Sequence, residues 1–256
     1  MDFLNAIVLL SNYVFIPSLV YGSQLALGAL GVTIVFGIMR FANFAHGEMM
    51  SFATVSTIFI TWWFQSIGFT AGILPTALLA LPFGIVITGL LVLATERSVF
   101  SYYRQRKSKP VIFVIASVGV MFMLNGVVRL FIGTDEIIFM DGIKFLIKAG
   151  EFKKWSGLKE GLALKQTQVL TVLLAILAVA WLFWFLQKTK MGKAMRAFSD
   201  NEDLALLSGI DPEKVVRATW FISAVLITLA GVLYGLDKSY KPLIYFHLLL
   251  PIFAAA

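Results

Sequence analysis

The chain has 256 residues, of which 59% are hydrophobic and only 14% charged, with a formal net charge of +7. This composition excludes a soluble globular domain and describes a polytopic membrane protein. Cysteine is absent, which also excludes disulfides and thiolate metal sites.

Residues 3–39 contain no Asp, Glu, Lys or Arg, whereas a bilayer-spanning helix needs only about 20 apolar residues. No Lys or Arg precedes Arg40, so the basic leader of a secretory signal is missing and the segment reads as mature structure. A first helix is expected over residues 13–39. Then come Arg40, Asn43, His46, Gly47 and Glu48, placed between 3–39 and a second charge-free stretch, 49–95. Ionisable groups at membrane depth mark a pathway or a site.

Further helices are expected over 44–64, 73–95, 111–132, 168–186 and 215–236, with a seventh starting near His247. Pro17, Pro75, Pro82 and Pro251 sit in or beside these spans, where neighbouring helices can satisfy the freed carbonyls. Gly22 with Ala26, and Gly231 with Gly235, have the spacing that lets helix backbones approach closely. Trp62, Trp63, Trp181 and Trp184 suit lipid contact and interfacial anchoring. Asn125 and Arg129, one turn apart, face an aqueous cavity or a partner subunit; a snorkelling arginine near the outer interface is the plainer account of Arg129.

Orientation follows from the basic loops, which stay cytoplasmic. Residues 96–110 carry Arg97, Arg104, Arg106, Lys107 and Lys109 against one acid, and Lys188, Lys190, Lys193 and Arg196 follow two spans later. Both loops, 96–110 and 188–214, are therefore expected inside. The N-terminus and the segment 133–167, where six lysines meet five acids, are expected outside. The net charge is thus topological and gives no ground for nucleic-acid binding.

Within 188–214, Ser199 followed by Glu202 has the spacing of a capping box, and Gly209 supplies a left-handed stop. A short helix is expected over 199–209, with Leu204, Leu207 and Ser208 on one face beside Asp200, Asp203 and Ala205. Asp211 before Pro212 starts the next span. Such a rod fits a groove on a soluble partner, or else lies as a solvated connector.

The run Gly37-Ile38-Met39-Arg40-Phe41-Ala42-Asn43-Phe44-Ala45-His46-Gly47-Glu48 resembles the signature of permease subunits of the high-affinity branched-chain amino-acid ABC transporter family. Gly192-Lys193-Ala194-Met195-Arg196-Ala197, with Asn201, Ala205, Gly209 and Ile210, is similar to that family's coupling loop. Glu96-Arg97 and Ile115-Ala116-Ser117-Val118-Gly119-Val120 resemble it too. The resemblance covers essentially the whole chain. It implies an all-α, single transmembrane permease domain over 1–256 in a bacterial inner membrane, with six or seven spans present. It also implies a second permease, identical or related, two ATPases and a periplasmic binding protein as partners, with surrounding lipid and no cofactor.

The coupling residues it points to are Gly192, Arg196, Ala197, Ser199, Asn201, Glu202, Leu204, Ala205, Leu207 and Gly209. No Gly-x-x-x-x-Gly-Lys-Ser/Thr loop occurs, so ATP hydrolysis is expected in partner subunits. The family continues beyond this point, whereas this chain stops inside an apolar run at Ala256, so C-terminal spans are expected to be missing.

Asn43, His46, Gly47 and Glu48 have two readings. They line or gate the route of a zwitterionic solute, or His46 and Glu48 bond to backbone or to each other at a helix junction near the interface. Neither histidine has a ligand-spaced partner, so no metal site is expected, and no Gly-x-Ser-x-Gly elbow indicates a nucleophile. A proton-coupled secondary transporter using His46 and Glu48 is the alternative class.

Overall fold

The charge-free segments fold as long helices whose ends fall where charge, proline or a left-handed residue first appears. The computed structural model describes every residue except Met1, Ala71, Ile73, Thr134 and Ile143, together with the side chain of Asp2.

Helix α1 (Asp2–Leu10) passes through a π-helical turn (Ser11–Phe15) into α2 (Ile16–Met39). Pro17 follows closely on this π-helical turn inside the continuous helix, where it offers no N–H to the preceding turn. Arg40 ends the helix with φ 57°, a left-handed conformation uncommon outside glycine. Helix α3 (His46–Ser66) follows, then α4 (Ala77–Thr95), which runs through a second π-helical turn (Glu96–Phe100) into α5 (Ser101–Gln105). The expected first residue of this helix, Ile73, lies outside the described residues.

Next come α6 (Pro110–Ile132), β1 (Phe145–Ile147), α7 (Ala149–Ser156), β2 (Leu164–Lys165) and α8 (Gln166–Lys188). The two strands pair antiparallel, with Phe145 opposite Lys165. The chain closes with α9 (Lys190–Asp200), α10 (Glu202–Leu207), α11 (Pro212–Lys238) and α12 (Ile244–Ala255).

Among the described residues, five helices are long and apolar enough to cross a membrane: Phe3–Met39, Ala77–Gln105, Pro110–Ile132, Gln166–Lys188 and Pro212–Lys238. The other two expected spans differ for physical reasons. α12 is short, and α3 is long but polar, because Ser51, Thr54, Thr57 and Thr61 lie along it. All four are fully buried. The three threonines bond to carbonyls of their own helix, Thr54 to Met50, Thr57 to Ala53 and Thr61 to Thr57, so their hydroxyls are satisfied without water. α3 therefore lies inside the bundle rather than against lipid.

Helix α11 is the other central element and packs on α2, α3 and α4. Gly231 and Gly235 both face Thr54 of α3, the close approach their spacing predicts. Gly22 has no neighbour within 4 Å of where its Cβ would stand among the described residues, so no close helix approach is made at this glycine.

The bundle has two distinct ends. One, the basic end, carries Arg40, Arg104 and helices α9 and α10. The other, the loop end, carries residues 133–167, where Trp62 Nε1 donates to the Ile138 carbonyl at 3.0 Å and Asp141 accepts from Gln65 Nε2 at 2.9 Å and from the Ala77 amide at 3.0 Å. Asp141 thus fixes the loop over the start of α4.

Candidate functional site

Between Arg40 and His46 the chain is not helical, and it turns back into the bundle. The Phe44 amide donates to Ser117 Oγ of α6 at 3.1 Å. The His46 ring lies against Gly31 of α2, whose Cβ position would be 2.9 Å from Cε1. Gly31 stands about 12 Å along α2 from its end at Met39, at about 1.5 Å per residue. Helix α3 therefore begins inside the bundle, well short of the basic end.

The segment is pinned by aromatic packing. Phe41 meets Phe100 at 5.2 Å and Phe113 at 5.1 Å between ring centroids, and Phe100 stacks on Trp220 at 5.3 Å. These four rings tie the loop to the second π-turn, α6 and α11. Asn43 shapes the turn itself: its Oδ1 accepts from the Ala45 amide at 3.1 Å, and its backbone carbonyl accepts from the His46 amide. Gly47 permits the next contact, because a Cβ there would stand 2.7 Å from the Tyr245 carbonyl of α12.

All four residues singled out from the sequence, Asn43, His46, Gly47 and Glu48, are buried at this break. His46 and Glu48 do not bond to each other, which corrects one expected reading. Glu48, only 1% exposed, accepts from Asn125 Nδ2 at 3.0 Å through Oε1, and its Oε2 has no hydrogen-bond partner. Both ring nitrogens of His46 also lack one; the Gly28 backbone interacts with the ring without hydrogen-bond geometry.

Arg129 is half-buried in the last turn of α6, at the end of the helix where a snorkelling arginine is expected. Its Nε is buried without a partner, and its charge acts on Glu48 and on Tyr240. A cleft of about 190 Å³ joins Glu48, Asn125 and Arg129 to Met121, Phe122, Leu243 and Phe246. A second cleft, about 410 Å³, continues from Arg129 and Leu243 to Glu136 and Lys241 at the loop end. There the Ser239 hydroxyl and the Lys241 ammonium hold the Glu136 carboxyl below its usual range. The helical spacing of Asn125 and Arg129 was visible in the sequence; their meeting with Glu48 depends on the re-entrant turn.

At the basic end, the expected single helix over 199–209 is two helices. α9 continues through Ser199 to Asp200, and α10 is capped by Asn201, whose side chain accepts from the Leu204 amide at 3.0 Å. The capping box between Ser199 and Glu202 does not form, because the Ser199 hydroxyl turns away to donate to the Gly37 carbonyl at 2.8 Å. Gly209 does adopt a left-handed conformation, φ 80°, and Asp211 does cap α11 through the Glu213 amide.

The Arg40 guanidinium donates to the Ser199 carbonyl. Ser199 thus holds the end of α2 with its hydroxyl and the re-entrant segment with its backbone. This knot has no sequence signal, since its partners are about 160 positions apart.

Gly192 lets α9 turn sharply off α8, as a Cβ would fall 2.3 Å from the Phe185 carbonyl. Met195 and Phe198 bury one face of α9, and Ala205 anchors α10. Arg196, Ala197, Glu202, Leu204 and Leu207 stay exposed, Leu207 by 85%. Alongside, Arg104 bridges Glu96 and Glu213, its Nη2 lying 2.9 Å from the latter.

Comparison with known proteins gives this geometry a family. Over 216 residues the chain is 30% identical to the high-affinity branched-chain amino acid transport system permease protein LivH of Escherichia coli (strain K12), covering 84% of this chain and 67% of the relative. It is 27% identical over 223 residues to the corresponding permease protein BraD of Pseudomonas aeruginosa, covering 87% and 70%. No solved structure matches. The family model described as branched-chain amino acid transport system / permease component matches residues 14–256, and the chain belongs to that family.

Proposed function

We propose that this chain is the membrane-crossing subunit of an ATP-driven importer for branched-chain amino acids, acting as one transmembrane unit over 1–256. Its partners are a second permease, identical or related, two ATPase subunits and a periplasmic substrate-binding protein. Related small polar solutes such as urea or amides are the neighbouring cargo class. The positive-inside rule puts the basic end, with loops 96–110 and 188–214, in the cytoplasm, and the N-terminus and 133–167 outside. Cysteine introduced at Lys193 should then react with an impermeant maleimide only after the cells are opened.

The observation that carries the reading is the knot at Ser199. Exposed Leu204 and Leu207 on a short, capped helix are suited to a groove on a soluble subunit. Displacement of that helix is passed by α9 to Ser199, and from Ser199 to Gly37 and Arg40. Arg40 begins the very segment that leads to Asn43, His46, Gly47 and Glu48. The loop that receives force and the break that gates the route are therefore one mechanical unit. In an alternating-access cycle, the aromatic pins at Phe41 are the contacts that must slide.

Reconstitution of the assembled importer in proteoliposomes tests this. Leucine accumulation should require ATP and the binding protein and should be indifferent to a proton gradient. Transport by the purified chain alone, driven by protons without ATP, would contradict it.

A further inference from the structure

We infer that the cleft between α3, α6 and α12 is a recognition site for the zwitterionic head of the cargo, with Glu48 receiving the α-ammonium and Arg129 the α-carboxylate. The inference rests on the importer reading and goes beyond it, because it names the two groups that hold the solute in transit.

Three observations converge. First, both charged residues present unsatisfied atoms, Glu48 Oε2 and Arg129 Nε, each buried and without a hydrogen-bond partner. No ion pair joins them, although each lies in the field of the other. Glu48 is buried and Arg129 half-buried, so an unpaired carboxylate oxygen and an unpaired guanidinium N–H lining one cavity favour a ligand that brings both countercharges at once. A lone cation or a lone anion would satisfy only half of the site.

Second, Asn125 uses its amide donor on Glu48 Oε1 and so turns Oε2 into the remaining acceptor. Third, the other walls are apolar: Met121, Phe122, Leu243 and Phe246 offer no polar side chain. A cavity of about 190 Å³ that pairs opposite charges at one side with hydrocarbon and rings at the other fits a small amino acid with an aliphatic side chain.

Asn125 lies about 10 Å and Arg129 about 5 Å along α6 from its end at Ile132, so the site runs from inside the helix toward the loop end. The second cleft, through Arg129 to Glu136 and Lys241, supplies the approach from the loop end.

The chain has no cysteine, which permits a clean labelling test in the assembled importer. Cysteine at the cleft rim, Phe122→Cys, is alkylated by N-ethylmaleimide with and without millimolar L-leucine. L-Leucine should slow labelling about fivefold or more, while L-leucinamide, lacking the carboxylate, and 4-methylpentanoate, lacking the ammonium, should not. Adding Glu48→Gln or Arg129→Gln should each raise the half-protecting leucine concentration about tenfold, the scale of one charge-assisted hydrogen bond. Glu48→Asp and Arg129→Lys should retain part of the protection.

Equal protection by all three compounds would overturn the inference. So would protection that survives both Gln variants, or loss as severe in the charge-keeping variants, which would assign the effect to packing. If leucine leaves Phe122→Cys labelling unchanged while the same vesicles accumulate leucine with ATP, the site falls and the importer reading stands. If leucine protects as expected but no accumulation occurs, the importer reading falls and the site stands.

Discussion

Gly84 shows how narrow the tolerances are where α4 crosses α3. A Cβ there would fall 2.1 Å from Thr57 Oγ1 and 3.3 Å from Thr57 Cβ. The Thr57 hydroxyl is held by the Ala53 carbonyl at 2.7 Å, so it yields only by losing that bond. Gly84→Ala should therefore destabilise the bundle by about 1–3 kcal/mol, the usual cost of overpacking, read as a lower melting temperature in detergent. Gly84→Ala with Thr57→Ala should recover most of the loss, because the remaining carbon contact is merely tight. Neighbouring substitutions of this kind are not additive, and additive losses here would mean that the contact is not the cause.

At the scale of elements, the proposed route of force runs through the joint between α9 and the end of α2. Ser199→Ala removes the bond to Gly37, and Arg40→Ala removes the bond to the Ser199 carbonyl. Each bond contributes about 1 kcal/mol net, so losing both weakens the joint by about 2 kcal/mol and should lower the leucine imported per ATP. Hydrolysis stimulated by the loaded binding protein should persist, since α10 and its Asn201 cap are untouched. Parallel loss of hydrolysis and import would show that the joint serves assembly rather than transmission.

The same joint marks what was legible beforehand. Helix positions followed from charge-free lengths, and the Gly209 stop and Asp211 cap followed from local backbone chemistry. The Ser199 cap failed because a tertiary acceptor, the Gly37 carbonyl, competed for the same hydroxyl and left Asn201 to do the capping. Likewise the run from Asn43 to Glu48 stood out as polar groups between charge-free stretches. Its depth was not legible, because it depends on Phe44 reaching Ser117 and on the aromatic contacts around Phe41, both long-range.

At the scale of the molecule, a polar helix, α3, is enclosed by more apolar ones and starts partway through the bundle. Membrane proteins tolerate such irregular backbone only where protein or a cavity surrounds it, and half-helix starts of this kind hold charged solute groups in transporters. Here the break is joined at one side to a cleft holding Glu48 and Arg129, and at the other to an exposed pair of helices at the basic end. In the proposed mechanism, recognition and drive act at opposite ends of one short segment, residues 40–48.

The most direct test places cysteine at Leu207 in this otherwise cysteine-free chain and a second cysteine in the groove of the ATPase subunit. The account predicts a disulfide between them in the assembled importer, arrest of leucine uptake once it forms, and recovery on reduction. Uptake at full speed with no such crosslink would contradict the claim that force enters through α10.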